Sequence, residues 1–226
     1  MQELREGGYL PAAVRNYLAL LGWGTDDDTT ILSTDELVKR FAIERVGRAS
    51  AIFDERKLRW LNGRFMRELP LDEYVEAAAA RLEQEGHAEA VADRDRLRAG
   101  CAISQDKAQT LAELWPLIRF LFEPPVEDER AWSKVMDEQA AERLQAALEV
   151  LRAVDPFDVE ILDRELSQLV ESLGTKPGKL YQPIRVAITG TTVSPGIFES
   201  LAALGREASV QRIEAAIERL RDSTRA

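Results

Sequence analysis

Apolar residues recur every three to four positions through most of this chain, and strand-like alternation is scarce. That period is the mark of helices with one buried face, so the pattern predicts helices joined by short loops. The first runs from Leu10 to Leu21, with Val14, Tyr17, Leu18 and Leu21 on one stripe, Pro11 in its first turn and Gly22 at its end. A polar loop over 23–30 follows. Ser33 and Glu36 have the spacing of a capping box at the start of a short helix. Asp54 caps the next, expected over 55–64, where Asn62 and Gly63 break the regular pattern. Pro70 and Leu71 open a long amphipathic helix through Leu82, interrupted by Gly86. Further helices are expected at about 88–98, 107–122, 131–136 and 138–153, with a boundary at Asp155 and Pro156. The last four run to about Leu173, then over 180–188, 197–204 and 209–221. A basic loop at 174–178 and a turn at 190–195 separate them; the 180–188 helix is interrupted early by Pro183.

Composition narrows the chemistry. The 226 residues are enough for one or two domains with a substantial core. No apolar run approaches the ~20 residues that span a bilayer, and residues 1–8 lack the apolar stretch of a signal peptide. A cytoplasmic protein with no membrane partner is the default expectation. One cysteine, Cys101, and one histidine, His87, exclude an internal disulfide and a Cys/His zinc site. Cys101 reads as a small buried residue and His87 as a surface residue in a polar break between helices. No Walker-type phosphate loop, dinucleotide fingerprint or metal-ligand cluster is present.

The formal charge of −10 does not advertise a nucleic-acid binder, but its distribution is uneven. Between Arg45 and Arg67 seven basic residues face two acids; between Glu123 and Val150 eight acids face three basic residues. Local potential, rather than net charge, governs phosphate binding. In the segment FDERKLRWLNG, over 53–63, and just beyond it, Lys57, Arg59, Asn62 and Arg64 are donors clustered around Trp60. The residues alone fit either a solvated basic face or a helix that holds cations against phosphate and ribose.

Three ordered segments carry a family resemblance: GYLPAAVRNYLALLGW over 8–23, FDERKLRWLNG over 53–63, and KPGKLYQPIRVAITG over 176–190 followed by SPGIFESL over 194–201. The chain resembles the C-terminal region of the glutamyl-tRNA synthetases, essentially over its whole length. The resemblance implies an all-α, elongated array of helical bundles of the class I glutamyl-tRNA synthetase anticodon-binding type. It implies a stem-contact domain at 1–69 and two anticodon-binding subdomains at 70–154 and 155–226. The ATP-binding signatures of such ligases are not found here, so the resemblance places ATP and magnesium in a catalytic domain outside this chain, with no cofactor, no metal and no catalytic residue within it. A chain lacking that domain is expected to be inactive alone.

The same resemblance assigns site residues. Lys57, Arg59, Trp60, Asn62 and Arg64 are implied to meet the tRNA stem at its inner corner. Lys107 stands where family members that reject the glutamine tRNA carry an arginine that reads the third anticodon base. Lysine keeps the charge but lacks the planar two-point fork, so glutamine tRNA is an alternative partner to glutamate tRNA. Arg185 matches an arginine that contacts the first anticodon base, Ser194 lies in a turn placed against the anticodon loop, and Ile197 offers an apolar surface to a splayed base. The expected partners are tRNA and the catalytic domain of the same synthetase, and the expected state is a monomer. The rival expectation is a free-standing helical RNA-binding or protein-interaction module derived from such an enzyme.

Overall fold

In a computed structural model, residues 2–24, 29–47, 52–126 and 128–225 are described. Part of the loop expected at 23–30, and the charges counted at Arg48 and Glu127, lie outside the described residues. Fourteen α-helices and no strand occur among the described residues, the all-α class expected from the periodicity. Packing divides the chain into two compact units, 1–116 and 117–226.

The first unit carries α1 (Gln2–Glu6), α2 (Pro11–Leu20), α3 (Thr34–Arg40), α4 (Glu55–Glu68), α5 (Leu71–Gln84), α6 (Ala88–Ala92) and α7 (Arg94–Ser104). Here α2 packs on α3 and α4, and α5 packs on α6 and α7. Val14, Tyr17, Leu58 and Leu61 form one buried cluster, edged by Leu4, Tyr9, Leu21, Ile31 and Phe65. Caps fix the helix starts. The Ser33 and Glu36 side chains each bond the other's backbone N–H, the reciprocal box expected for α3. The Asp54 carboxylate accepts from Lys57 N at 3.1 Å.

The second unit carries α9 (Glu129–Val135), α10 (Ala140–Ala153), α11 (Val159–Ser172), α12 (Pro177–Thr189), α13 (Ile197–Leu204) and α14 (Arg206–Arg225). The short α8 (Leu114–Ile118) spans the division, between 3₁₀ turns at Leu111–Glu113 and Arg119–Leu121. Its core is built from stripes spaced by four and three: Leu144, Leu148 and Leu151 on α10; Leu162, Leu166 and Val170 on α11; Leu180, Ile184 and Ile188 on α12. Each such side chain, fully buried, contributes about 1.5–3 kcal/mol. Arg212 on α14 binds three backbone carbonyls, those of Phe120 (2.7 Å), Ile188 (2.6 Å) and Glu123 (2.9 Å). It thereby satisfies acceptors that the end of α12 and the turn at 119–123 leave without helical partners.

Several expected boundaries are corrected. Helix α4 does not stop at Asn62 and Gly63 but continues to Glu68, because both residues are buried against the loop at Gln109. The helix expected over 88–98 is two, divided at Asp93, whose carboxylate caps α7 through Arg96 N. No continuous helix runs over 107–122. Thr110 is extended (φ −140°, ψ 158°), and Pro116 has no N–H to give, so a 3₁₀ turn, one α-turn and a second 3₁₀ turn replace it. Helix α12 begins earlier than expected, with Pro177 in its first turn, and runs through Pro183 without ending.

Two glycines at positive φ separate backbone strain from close approach. Gly190 ends α12 at φ +78°, and a Cβ there would lie 2.1 Å from the Val126 carbonyl oxygen; Gly86 has φ +89° and open space around it. Alanine at Gly86 should cost only the left-handed strain, about 1–2 kcal/mol. Alanine at Gly190 should cost that and a further ~1–3 kcal/mol of overpacking. Urea unfolding of the two variants measures the difference; equal losses would show that the 190–126 approach is not tight.

Candidate nucleic-acid interface

The basic helix α4 is held at both ends and in its middle. At its start, Asp54 N donates to the Tyr17 hydroxyl at 2.5 Å, and Phe53 meets the Tyr17 ring edge-on at 5.3 Å. In its middle, the Asn62 side chain is wholly buried. Its oxygen accepts from Leu10 N at 2.7 Å and its nitrogen donates to the Gln109 carbonyl at 2.5 Å. At its end, the Gln105 amide donates to the carbonyls of Met66 (2.8 Å) and Leu69 (2.9 Å). Asn62 therefore does not stand on the exposed donor face where sequence reasoning put it. Nothing in the spacing distinguished it from its exposed neighbours; its partners are 52 and 47 residues away.

That clamp fixes an exposed face carrying Lys57, Trp60 and Arg64 in successive turns, with Arg59 beside them. Arg64 pairs with Glu68 at 3.0 Å, an exposed i,i+4 contact worth well under ~1 kcal/mol, so a phosphate competes for it at little expense. Arg59 pairs with Glu113, whose other carboxylate oxygen accepts from Gln109 N at 2.9 Å. Trp60 keeps 48% of its surface exposed. Lys107, also exposed, lies ahead of the 3₁₀ turn rather than on a helix, in the turn that closes α7; its N–H donates to Ser104 O at 2.9 Å.

His87 is not a bare surface residue: it is half-buried, its ring stacked on Trp115 with centroids 3.8 Å apart. Cys101 is buried as expected, and burial pushes its thiol pKa up to about 12, which leaves it protonated and unreactive.

In the second unit the structure brings Arg185 and Ser194 together. The Arg185 guanidinium, half-buried on α12, donates to the carbonyls of Pro195 (2.6 Å) and Ser194 (3.3 Å) and to the Ser194 hydroxyl. Burial lowers the Arg185 pKa from its ordinary value, and the nearby Glu199 carboxylate opposes that shift. Thr189 and Thr191 pin the rest of the turn: the Thr189 hydroxyl donates to Arg185 O at 2.8 Å, and Thr191 exchanges two 2.8 Å bonds with the backbone of Val193. Ile197 is buried in the core of this unit and presents no open apolar surface, because the first turn of α13 faces inward. The apolar side chain that the turn does present is Val193, 70% exposed, which sequence reasoning passed over. Among the described residues no group of three or more His, Cys, Asp or Glu side chains is placed to hold a metal ion, and no helix is long and apolar enough to cross a membrane.

Residues 71–217, which include Lys107, Arg185, Ser194 and Ile197, match the family model of the anticodon binding domain. The chain belongs to this family, in the form found in glutamate–tRNA ligases. Residues 1–60 match a second model, the catalytic domain of class I (E and Q) tRNA synthetases. The chain is 41% identical over 221 residues to the glutamate–tRNA ligase of Thermobifida fusca, covering 95% of itself and 46% of that protein. It is 37% identical to that of Salinispora arenicola, covering 97% of itself and 48% of the relative. A crystal structure of a glutamate tRNA ligase from Elizabethkingia meningosepticum, solved with its amino acid, superposes with a TM-score of 0.80 at 27% identity, over 96% of this chain and 43% of that one. The chain thus spans about half the length of the curated relatives it matches.

Asn62 tests the clamp on α4. Asn62→Ala strips partners from two backbone groups, each costing about 1–3 kcal/mol when left unmet. The variant should lose roughly 2–4 kcal/mol in urea unfolding, whereas Lys57→Ala, on the exposed face, should stay within about 0.5 kcal/mol of the parent.

Proposed function

We propose that this chain is the tRNA-binding part of a glutamate–tRNA ligase, gripping the inner corner of the tRNA and its anticodon loop during glutamyl-tRNA aminoacylation in protein synthesis. The observation that carries the proposal is the anticodon-binding match over 71–217, which takes in a turn already braced by an arginine. Its partners in this reading are glutamate tRNA, with glutamine tRNA as a second candidate, and the catalytic domain of the synthetase, where ATP and magnesium act. The likeness over 1–60 to such a catalytic domain supports that association. Residues 1–69 serve the stem, and 70–154 and 155–226 the anticodon side; these divisions follow role and cut across the compact units.

The residues divide the work by chemistry. Lys57, Arg59 and Arg64 meet backbone phosphates, and Trp60 lies against ribose or base. Asn62 acts only by fixing the helix that carries them. Arg185 keeps the turn at 190–196 in shape and offers its guanidinium plane to a base, with Ser194 as a polar contact. Val193 supplies the apolar surface first assigned to Ile197, which supports the turn from beneath. Lys107 meets the third anticodon base with a point charge rather than a fork.

Titration with glutamate and glutamine tRNA transcripts tests these roles. Lys57→Ala or Arg64→Ala should weaken both tRNAs alike and reduce the salt slope by about one or less. Arg185→Ala should cost about 1–3 kcal/mol of binding. Lys107→Arg should raise the preference for glutamate tRNA, because the fork restores a two-point contact. No binding by the unmodified chain at low salt would contradict the proposal.

A further inference from the structure

Two carboxylates beside the basic helix act locally. Glu68 pairs with Arg64 one turn away on α4, and Asp54 caps the start of the same helix. Glu113 is placed differently: its two oxygens serve two separate pieces of the first unit. Oε1 pairs with the Arg59 guanidinium on α4, and Oε2 accepts from Gln109 N at 2.9 Å. The turn that carries Glu113 is itself anchored, with Leu111 N donating to Gly8 O at 2.9 Å.

Gln109 closes the short segment that carries Lys107. The segment starts at the end of α7, where Ser104 O accepts from Lys107 N at 2.9 Å and from Ala108 N at 3.1 Å. It ends at Gln109, whose carbonyl accepts from Asn62 and whose N–H donates to Glu113. Thr110 is extended and opens the 3₁₀ turn, so Glu113 reaches back over that turn much as the glutamate of a capping box does. Such a cap needs only an acceptor oxygen; the negative charge is used by Arg59. Glu55, one turn before it on α4, is a second carboxylate near Arg59. The Tyr9 hydroxyl feels the whole group: burial raises its pKa above the ordinary value, Glu55 and Glu113 raise it further, and Arg59 opposes them. The Glu113 side chain is 29% exposed against 51% for Glu68, so salt screens its hold on Arg59 less.

We propose that Glu113 is a positioning residue for two tRNA contacts: its charge restrains Arg59 and so limits the sequence-independent grip of the basic helix, while its hydrogen bond to Gln109 holds the segment that presents Lys107. This role rests on the tRNA-binding reading above and deepens it. A phosphate that takes Arg59 must compete with a carboxylate already fixed at its other oxygen, unlike the one that takes Arg64. The two effects are separable because they use different properties of one side chain. Glutamine keeps an acceptor for Gln109 N but has no charge for Arg59; alanine keeps neither.

The test titrates glutamate tRNA transcript into the parent, Glu113→Gln and Glu113→Ala between about 50 mM and 300 mM salt, each with and without Arg59→Ala or Lys107→Ala. Glu113→Gln should bind about two- to fivefold more tightly at the low salt, with a salt slope steeper by about one or less, and Arg59→Ala should abolish that gain. Lys107→Ala should weaken the parent and Glu113→Gln by about threefold or more, but Glu113→Ala by less than about twofold. Without RNA, the Gln109 N–H should stay protected from hydrogen exchange in the parent and in Glu113→Gln, and exchange about tenfold faster in Glu113→Ala. A parent that binds no tRNA overturns the functional reading and this role with it. A parent that binds overturns the role alone if Glu113→Gln binds no more tightly, if Lys107→Ala is equally harmful in all three backgrounds, or if Gln109 exchanges alike in all three.

Discussion

Backbone groups in the segments between helices must find hydrogen-bond partners once they are buried, and in this chain a few polar side chains meet that demand. Asn62 serves the segment at Leu10 and the loop at Gln109 with one amide. Gln105 closes the end of α4. Arg212 collects three carbonyls, and Arg185 holds the turn after α12. Apolar stripes supply most of the stability, but they are tolerant of small shifts. These amide and guanidinium groups are not, since each left unmet costs a sizeable fraction of a marginal total.

The candidate interface inherits its geometry from those clamps. A chain with ten more acidic than basic charges gains nothing from bulk electrostatics in approaching RNA. In the proposed role it depends on cations held at fixed points. On α4 the cations project from a helix secured at three places along its length, and the exposed pair of Arg64 with Glu68 is weak enough to yield to phosphate. On α12 the arrangement is reversed. Arg185 is already engaged by its own turn, and Val193 is the apolar side chain which that turn leaves exposed.

Much of the fold was legible because helices announce themselves through local signals. Capping at Ser33 and Asp54, Pro11 in a first turn and the 144, 148, 151 stripe all rest on residues within a few positions of one another. The misread places depend on distant residues. Asn62 and Gly63 look like helix breakers until Gln109 packs over them. The stretch at 107–110 has helical composition but is extended at Thr110. Among the site residues, sequence separated types but not burial: Lys57, Trp60 and Arg64 are exposed, while Asn62 and Ile197, equally plausible by motif, face inward.

The central claim, that anticodon contact and stem contact reside together in this chain, is tested most directly by one comparison. Glutamate tRNA transcript and the same transcript with its anticodon arm deleted are titrated into the unmodified chain at matched salt. The intact tRNA should bind at least tenfold more tightly, and the shortened one should retain a salt-dependent residual affinity through the basic helix. Equal affinity for the two RNAs would contradict the claim.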